Sequence, residues 1–185
     1  MPEPPVSREL VDHFCLMARY NRLANARLYD ACQALGDVER RRDRGAFFGS
    51  IHNTLNHILL GDRLWLTRLS GGEAPRTPLD TVLYDEFDTL RAAREAEDVL
   101  IERFVGGLDP AALKEPFAYV NYRGVTFEDP LWLLLPTIFN HQTHHRGQVH
   151  DMLSQAGVEP PSLDLHRVLK PEPGVRLTRR GARAR

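Results

Sequence analysis

Three of the chain's eight histidines fall within residues 140–148, "NHQTHHRGQ". Neutral imidazole is the commonest metal ligand, and its ordinary pKa lies close to neutrality. His141 and His145 form a His-x-x-x-His pair, which on a helix sets two ligands one turn apart on one face. The same pair occurs in the zinc-protease motif, where glutamate follows the first histidine as general base. Gln142 stands there instead, which argues against protease chemistry. Such a pair can also be a coincidence of a solvated helix face, so the elements around it must decide.

Helical phase, at about 100° per residue, tests the histidines further. His141 and His145 lie about 40° apart, on a face shared with Leu134, Ile138, Met152 and Gln148. His144 lies about 60° to one side of His141, close enough to swap with it or to act as an acid or base beside it. His57 shares its face with Leu60 and Leu64 and with Ser50, Asn53 and Thr54, while His52 lies about 140° away. Asn21 and Asn25, one turn apart, interrupt a face otherwise made of Phe14, Ala18 and Cys32. Polar residues from three helices thus converge on what should be core, where each costs a few kcal/mol unless satisfied. A metal ion held by His57, His141 and His145 would satisfy several at once and leave open coordination positions, as catalytic zinc sites do. His13, His52, His150 and His166 are expected to be ordinary histidines.

These residues require four long helices, expected over residues 8–35, 47–69, 84–105 and 129–156. Gly36, the run "SGGEAPRTP", Gly106-Gly107 and Gly157 supply the stops. Asp129 is expected to cap the last helix, with Pro130 in its first turn, and Pro136 to kink or loosen it. The stretch "PFAYVNYRGVTFEDP" reads as a short hairpin-like loop between helices three and four. The fold class is therefore all-α, a four-helix bundle over residues 1–168, followed by a basic tail over residues 169–185. The end of that tail, "RLTRRGARAR", has five arginines and no apolar pattern, and is expected to be disordered.

Composition narrows the classes of function. With 185 residues, 42% apolar and 26% charged, the chain reads as one ordinary globular domain. Lys+Arg of 24 against Asp+Glu of 25 argues against a nucleic-acid or membrane partner. No run approaches the roughly 20 apolar residues of a membrane span, and "MPEPPVSREL" lacks the pattern of a secretory signal. A cytoplasmic location is the expectation. Cys15 and Cys32, both in the first helix, stand about 25 Å apart by helical rise, too far for a disulfide, and read as apolar fillers.

The residues singled out carry a family resemblance. "YNRLANARLYDA", "SIHNTLNHILLGDRLWLTRLSG" and "FNHQTHHRGQVHDMLSQAG" resemble the DinB family of DinB/YfiT-like metalloenzymes. That family is named from damage-inducible proteins and is distinct from the translesion polymerase of the same name. The likeness extends over residues 10–168, with "PLWLLLPTIFNH" leading into the last segment and "PSLDL" following it. It implies a four-helix bundle, commonly a homodimer, in which His57, His141 and His145 bind a divalent metal. It also implies a hydrolase or a thiol-dependent transferase, since relatives use bacillithiol or mycothiol as cosubstrate.

The leading expectation is a metal-dependent enzyme acting on a small molecule. Zinc or nickel come first, and iron or copper also suit three imidazoles. With no inward carboxylate in view as a base, transfer of a low-molecular-weight thiol such as glutathione is slightly favoured over water activation. Asn21, Asn25, Asn53 and Gln148 would orient it. The alternative is a non-enzymatic metal-binding stress-response protein with a structural metal. Structural zinc sites usually close with four protein ligands, and only three are visible. Trp65, Trp132 and several leucines, more than one small bundle need cover, support the homodimer.

Overall fold

The computed structural model describes residues 8–121 and 123–171. Within them, α1 (Arg8–Gln33), α3 (Ile51–Leu69), α4 (Phe87–Gly106) and α5 (Leu131–Gln155) are the long helices. Around the bundle α1 packs on α4, α4 on α3, α3 on α5 and α5 on α1. The buried positions of α1 show why it folds this way. Val11, Phe14, Ala18, Asn21, Asn25, Leu28 and Cys32 alternate in steps of three and four, one stripe along a helix. The arginine-rich end of the tail lies outside the described residues.

The helix ends differ from expectation for local reasons. Helix α3 starts at Ile51 rather than residue 47, because Gly45 and Gly49 adopt left-handed φ angles of 71° and 77°. Phe47 and Phe48 therefore sit in a tight loop, and Ser50 caps the helix by accepting from the Asn53 amide at 3.2 Å. Helix α4 starts at Phe87 rather than residue 84, because Asn56 holds the preceding backbone extended. Its Oδ1 accepts from the Leu83 and Tyr84 amides at 2.9 Å each.

The loop between α4 and α5 is more ordered than expected. A 3-10 turn (Pro110–Lys114) precedes two antiparallel strands, β1 (Pro116–Val120) and β2 (Thr126–Pro130). Asp129 and Pro130 belong to β2, so Asp129 does not cap α5; it accepts instead from the Tyr119 hydroxyl at 3.3 Å. Pro136 was expected to disturb the last helix, yet α5 runs unbroken through it. Two short helices, α2 (Asp37–Arg41) and α6 (Leu165–Leu169), were not anticipated. Helix α6 packs on α1 through Val168, against Tyr20 and Ala24. Cys32 is buried in the core, and Cys15 is half-buried; both are free thiols.

Two apolar clusters fill the bundle, one around Leu28, Ile51, Leu59, Phe87 and Met152, the other around Phe14, Ile101, Leu135 and Phe139. In every long helix the sequence between them contributes polar side chains to a buried layer. Arg94 donates to Asp62 at 2.5 Å and lies 2.9 Å from Asp98. Asn25 bridges Asp98 and Gln142 at 3.0 and 2.9 Å, and Gln142 donates to Asp62 at 2.6 Å. Arg146 donates to Gln142 Oε1 at 2.8 Å. Each member finds partners from other helices, so the layer fixes how the four helices stand along one another. Burial pushes the Asp62 carboxyl up to about 7, against the pull of Arg94.

Candidate metal centre

Helices α3 and α5 pack side by side, which brings His57 of one against His141 and His145 of the other. Among the described residues these three form a group whose ligand atoms all lie within 4.8 Å of one another. Their ring centroids stand 4.5–5.0 Å apart. His57 and His145 are buried, at 5% and 7% exposure, and His141 is half-buried. The Phe48 ring stacks on His57 at 3.9 Å between centroids, so the loop before α3 forms one wall of the site.

Hydrogen bonds set the tautomers of two rings. His57 Nδ1 lies 2.7 Å from the Leu79 carbonyl oxygen, which only accepts, so Nδ1 carries the proton and Nε2 presents a lone pair. His145 Nδ1 likewise lies 2.7 Å from Gln148 Oε1, leaving its Nε2 free. Metal-ligating histidines are oriented by this kind of outer bond. The third ring is poorly satisfied by protein alone. His141 Nδ1 is buried without a partner, and its Nε2 meets His57 Nε2 at 3.0 Å.

Burial holds all three imidazoles neutral. It pushes His141 down to about 3, helped by the neighbouring His145, His57 and His144. It pushes His145 down to about 4 against the Gln148 bond, and lowers His57 against its bond to Leu79. Neutral rings with free nitrogens are the form that coordinates metal. Spacing agrees: two nitrogens bound tetrahedrally at 2.0–2.1 Å stand about 3.3 Å apart, close to the His57–His141 separation. The donor set therefore fits a divalent ion.

Gly61, one turn after His57, makes the approach possible. A Cβ there would come within 2.6 Å of His141 Cε1, nearer than real Cβ contacts reach. Sequence reasoning passed over it, because a glycine inside a helical pattern costs only about 1 kcal/mol against alanine and does not by itself reveal a close approach. It also missed Phe48 and the Leu79 carbonyl, which lie in loops that no helical pattern can place.

The site opens into a cleft of about 660 Å³ walled by Phe47, Leu64, Trp65, Arg68, Tyr119 and Phe127. Gln148 and His144 also reach it; His144 is exposed, with its ring 4.7 Å from that of His145. Among the described residues the lining holds no carboxylate. Asn21, Asn25 and Asn53, expected to orient a substrate, do not line the cleft. Asn25 belongs to the buried polar layer, and Asn21 is buried with both amide atoms unpartnered. Ser50 caps α3, and the Thr54 hydroxyl donates to the Ser50 carbonyl, so neither serves the site. His52, expected to be an ordinary histidine, is buried, bonds the Tyr84 carbonyl at 2.9 Å and does not line the cleft.

Comparison with known proteins identifies the family and the fold. The model of the DinB family matches residues 8–180. Protein DinB of Bacillus subtilis (strain 168) is 29% identical over 146 residues, spanning 75% of this chain and 83% of that protein. The crystal structure of a DinB-like protein from Bacillus cereus ATCC 10987 has a TM-score of 0.58 at 18% identity. It covers 75% of this chain and 89% of that one, a likeness of fold. Most of the chain is matched by one family model, and the fold is that of a DinB-like structure: the chain belongs to the DinB family.

Proposed function

We propose that His57, His141 and His145 hold one divalent metal ion and that the protein is a metal-dependent enzyme acting on a small molecule. The observation that carries this reading is the convergence of three neutral imidazoles, two with their Nδ1 protons engaged, at the floor of an open cleft. When bound, such an ion supplies Lewis acidity and lowers the pKa of a water or thiol in its open coordination position. The chain's own residues do the rest. The Leu79 carbonyl and Gln148 hold His57 and His145 in register, and Phe48 shields His57 from water.

Thiol-dependent transfer is favoured over hydrolysis, because a thiol, with an ordinary pKa of about 8.5, gives up its proton far more readily than water. Among the described residues the lining offers no carboxylate as a stronger base. His144, exposed at the cleft and beside His145, is positioned to accept the proton of an incoming thiol. Zinc or nickel is proposed, with iron or copper also compatible with three imidazoles. The opening of the cleft and the three-residue donor set favour this over a structural metal, for which four protein ligands are usual.

We further propose that the protein works in the cytoplasm as a homodimer. No helix among the described residues is long and apolar enough to cross a membrane. Leu16 on α1 and Leu133 on α5 are 42% and 47% exposed, apolar surface that a second copy could cover. Sedimentation showing a monomer at micromolar concentration would remove the dimer.

The enzyme reading is tested with cobalt-substituted protein. Its ligand-field bands should shift when millimolar glutathione, cysteine or azide enters an open position. Bands that stay unchanged with all three would mean a closed, structural site.

A further inference from the structure

The cleft has a second end that the histidines do not use. On α3, His57, Gly61, Leu64 and Arg68 recur at i, i+4, i+7 and i+11, one face of the helix, and all four line the cleft. Eleven residues of rise set the His57 and Arg68 backbones about 16 Å apart. Helical side chains lean toward the N-terminus, and Arg68 does so: its guanidinium carbon stands 5.3 Å from the Trp65 ring centroid. The gap between guanidinium and imidazoles is then on the order of 10 Å, the length of about three extended residues.

Among the described residues Arg68 lacks an anionic partner. It is half-buried, its Nε is buried without a hydrogen bond, and burial disfavours its charge. Among the described residues no carboxylate lies in ion-pair reach of it, whereas Arg63 on the same helix meets Glu97 at 3.3 Å. Tyr119, on the same wall, donates its hydroxyl proton to Asp129, and among the described residues no hydrogen bond joins its oxygen to Arg68. Cation–π contact with Trp65 holds the guanidinium in place but leaves the buried Nε without an acceptor.

A second cavity, of about 480 Å³, meets the first at Leu64, Arg68, Tyr119 and Asn121. Arg76 stands on its wall, packed against the hairpin turn, where a Cβ on Gly124 would lie 3.1 Å from its Nη2. Arg76 also has no carboxylate in ion-pair reach among the described residues; Glu73 is the acidic residue of that wall.

We propose that Arg68 receives an anionic group, a carboxylate, phosphate or sulfonate, on the molecule whose reactive atom lies at the histidines. This rests on the reading of the cleft as the substrate site. It gives the occupant a class: elongated, apolar in the middle where Leu64, Trp65 and Phe127 line the wall, and acidic at the end remote from His57. Pairing with the anion returns to Arg68 the charge-assisted bonds that burial in the cleft denies it. Arg68 is thus a specificity residue, and uncharged analogues of the true occupant should bind weakly.

The test uses two fluorescent probes that differ in charge, 8-anilinonaphthalene-1-sulfonate and the uncharged N-phenyl-1-naphthylamine, titrated into metal-free protein. Arg68→Gln should weaken the sulfonate about ten-fold or more and leave the neutral probe unchanged, with Arg68→Lys in between. In the wild type, inorganic phosphate should displace the sulfonate but not the neutral probe, a measurement independent of how well the variant folds. Equal sulfonate affinity in wild type and Arg68→Gln, or equal loss of both probes, overturns the proposal. A second arm uses cobalt-loaded protein with glutathione, its diethyl ester and 2-mercaptoethanol. Arg68→Gln should abolish the preference for glutathione over the ester while the response to 2-mercaptoethanol persists. If cobalt does not load, the metal reading fails while the dye titration still decides on Arg68.

Discussion

Gly61 lies directly beneath His141: a methyl group on its Cα would stand 2.6 Å from the ring's Cε1 and 3.2 Å from Nδ1. The absent side chain is the space the third imidazole occupies. Gly61→Ala should improve the helical propensity of α3 by about 1 kcal/mol while displacing His141 from His57. We therefore expect a folded protein whose metal affinity falls by about ten-fold or more, the scale of damage to an orienting group. Circular dichroism reports the fold and equilibrium dialysis with zinc the affinity. Undiminished affinity would mean that the ring has room to move and that the close approach is incidental.

The histidines should separate into ligands and bystanders. His57→Ala, His141→Ala and His145→Ala should each reduce metal loading strongly, as measured by elemental analysis after reconstitution. His144→Ala and His150→Ala should load as the wild type does. His52→Ala should also load, but lose about 1–3 kcal/mol of stability, because a buried ring is removed and the Tyr84 carbonyl keeps only the Asn56 amide as a donor. If His144→Ala abolished loading and His141→Ala did not, the assignment of ligands would have to be exchanged.

Metal-free protein should be acid-sensitive in a defined window. In the unfolded chain a histidine takes up its proton near pH 6.5. In the fold, His145 resists until about 4 and His141 until about 3. Between those values the unfolded state binds more protons, so stability is fully present above about pH 6.5 and is lost as pH falls toward 4. Urea midpoints should drop between pH 7 and pH 5, and the drop should be smaller in His141→Gln/His145→Gln. Parallel curves for the two proteins would place the acid sensitivity elsewhere.

The buried layer makes a prediction about stability rather than chemistry. Arg94 is paired with Asp62 and Asp98 at the middle of the bundle, and all three side chains are almost fully buried. Arg94→Met leaves two carboxylates without their cation and should cost about 3–5 kcal/mol. Asp62→Asn/Arg94→Met/Asp98→Asn, which removes the charges together, should recover a large part of that loss. Denaturant unfolding measures both, and a single variant as stable as the wild type would show that the pairing carries no net weight.

Much of this protein was legible before folding, because helical phase is a local property. The three-and-four spacing of Val11, Phe14, Ala18 and Leu28 predicts the buried stripe of α1, and the angles of His57, His141 and His145 predict that each turns inward. Phase does not say which neighbour stands opposite. Asn25 and His57 both point into the bundle, yet Asn25 meets Asp98 and Gln142 while His57 meets His141. The difference depends on the order of helices around the bundle and on their axial offsets, which the sum of long-range packing sets. Chain segments without periodicity were the least readable. Phe48 covers His57 because Gly49 turns the chain back, and the Leu79 carbonyl reaches it from a loop 22 residues away. Each local sequence chose its helix and inward face; the close packing of α3 on α5 at Gly61 decided that three imidazoles would share one site.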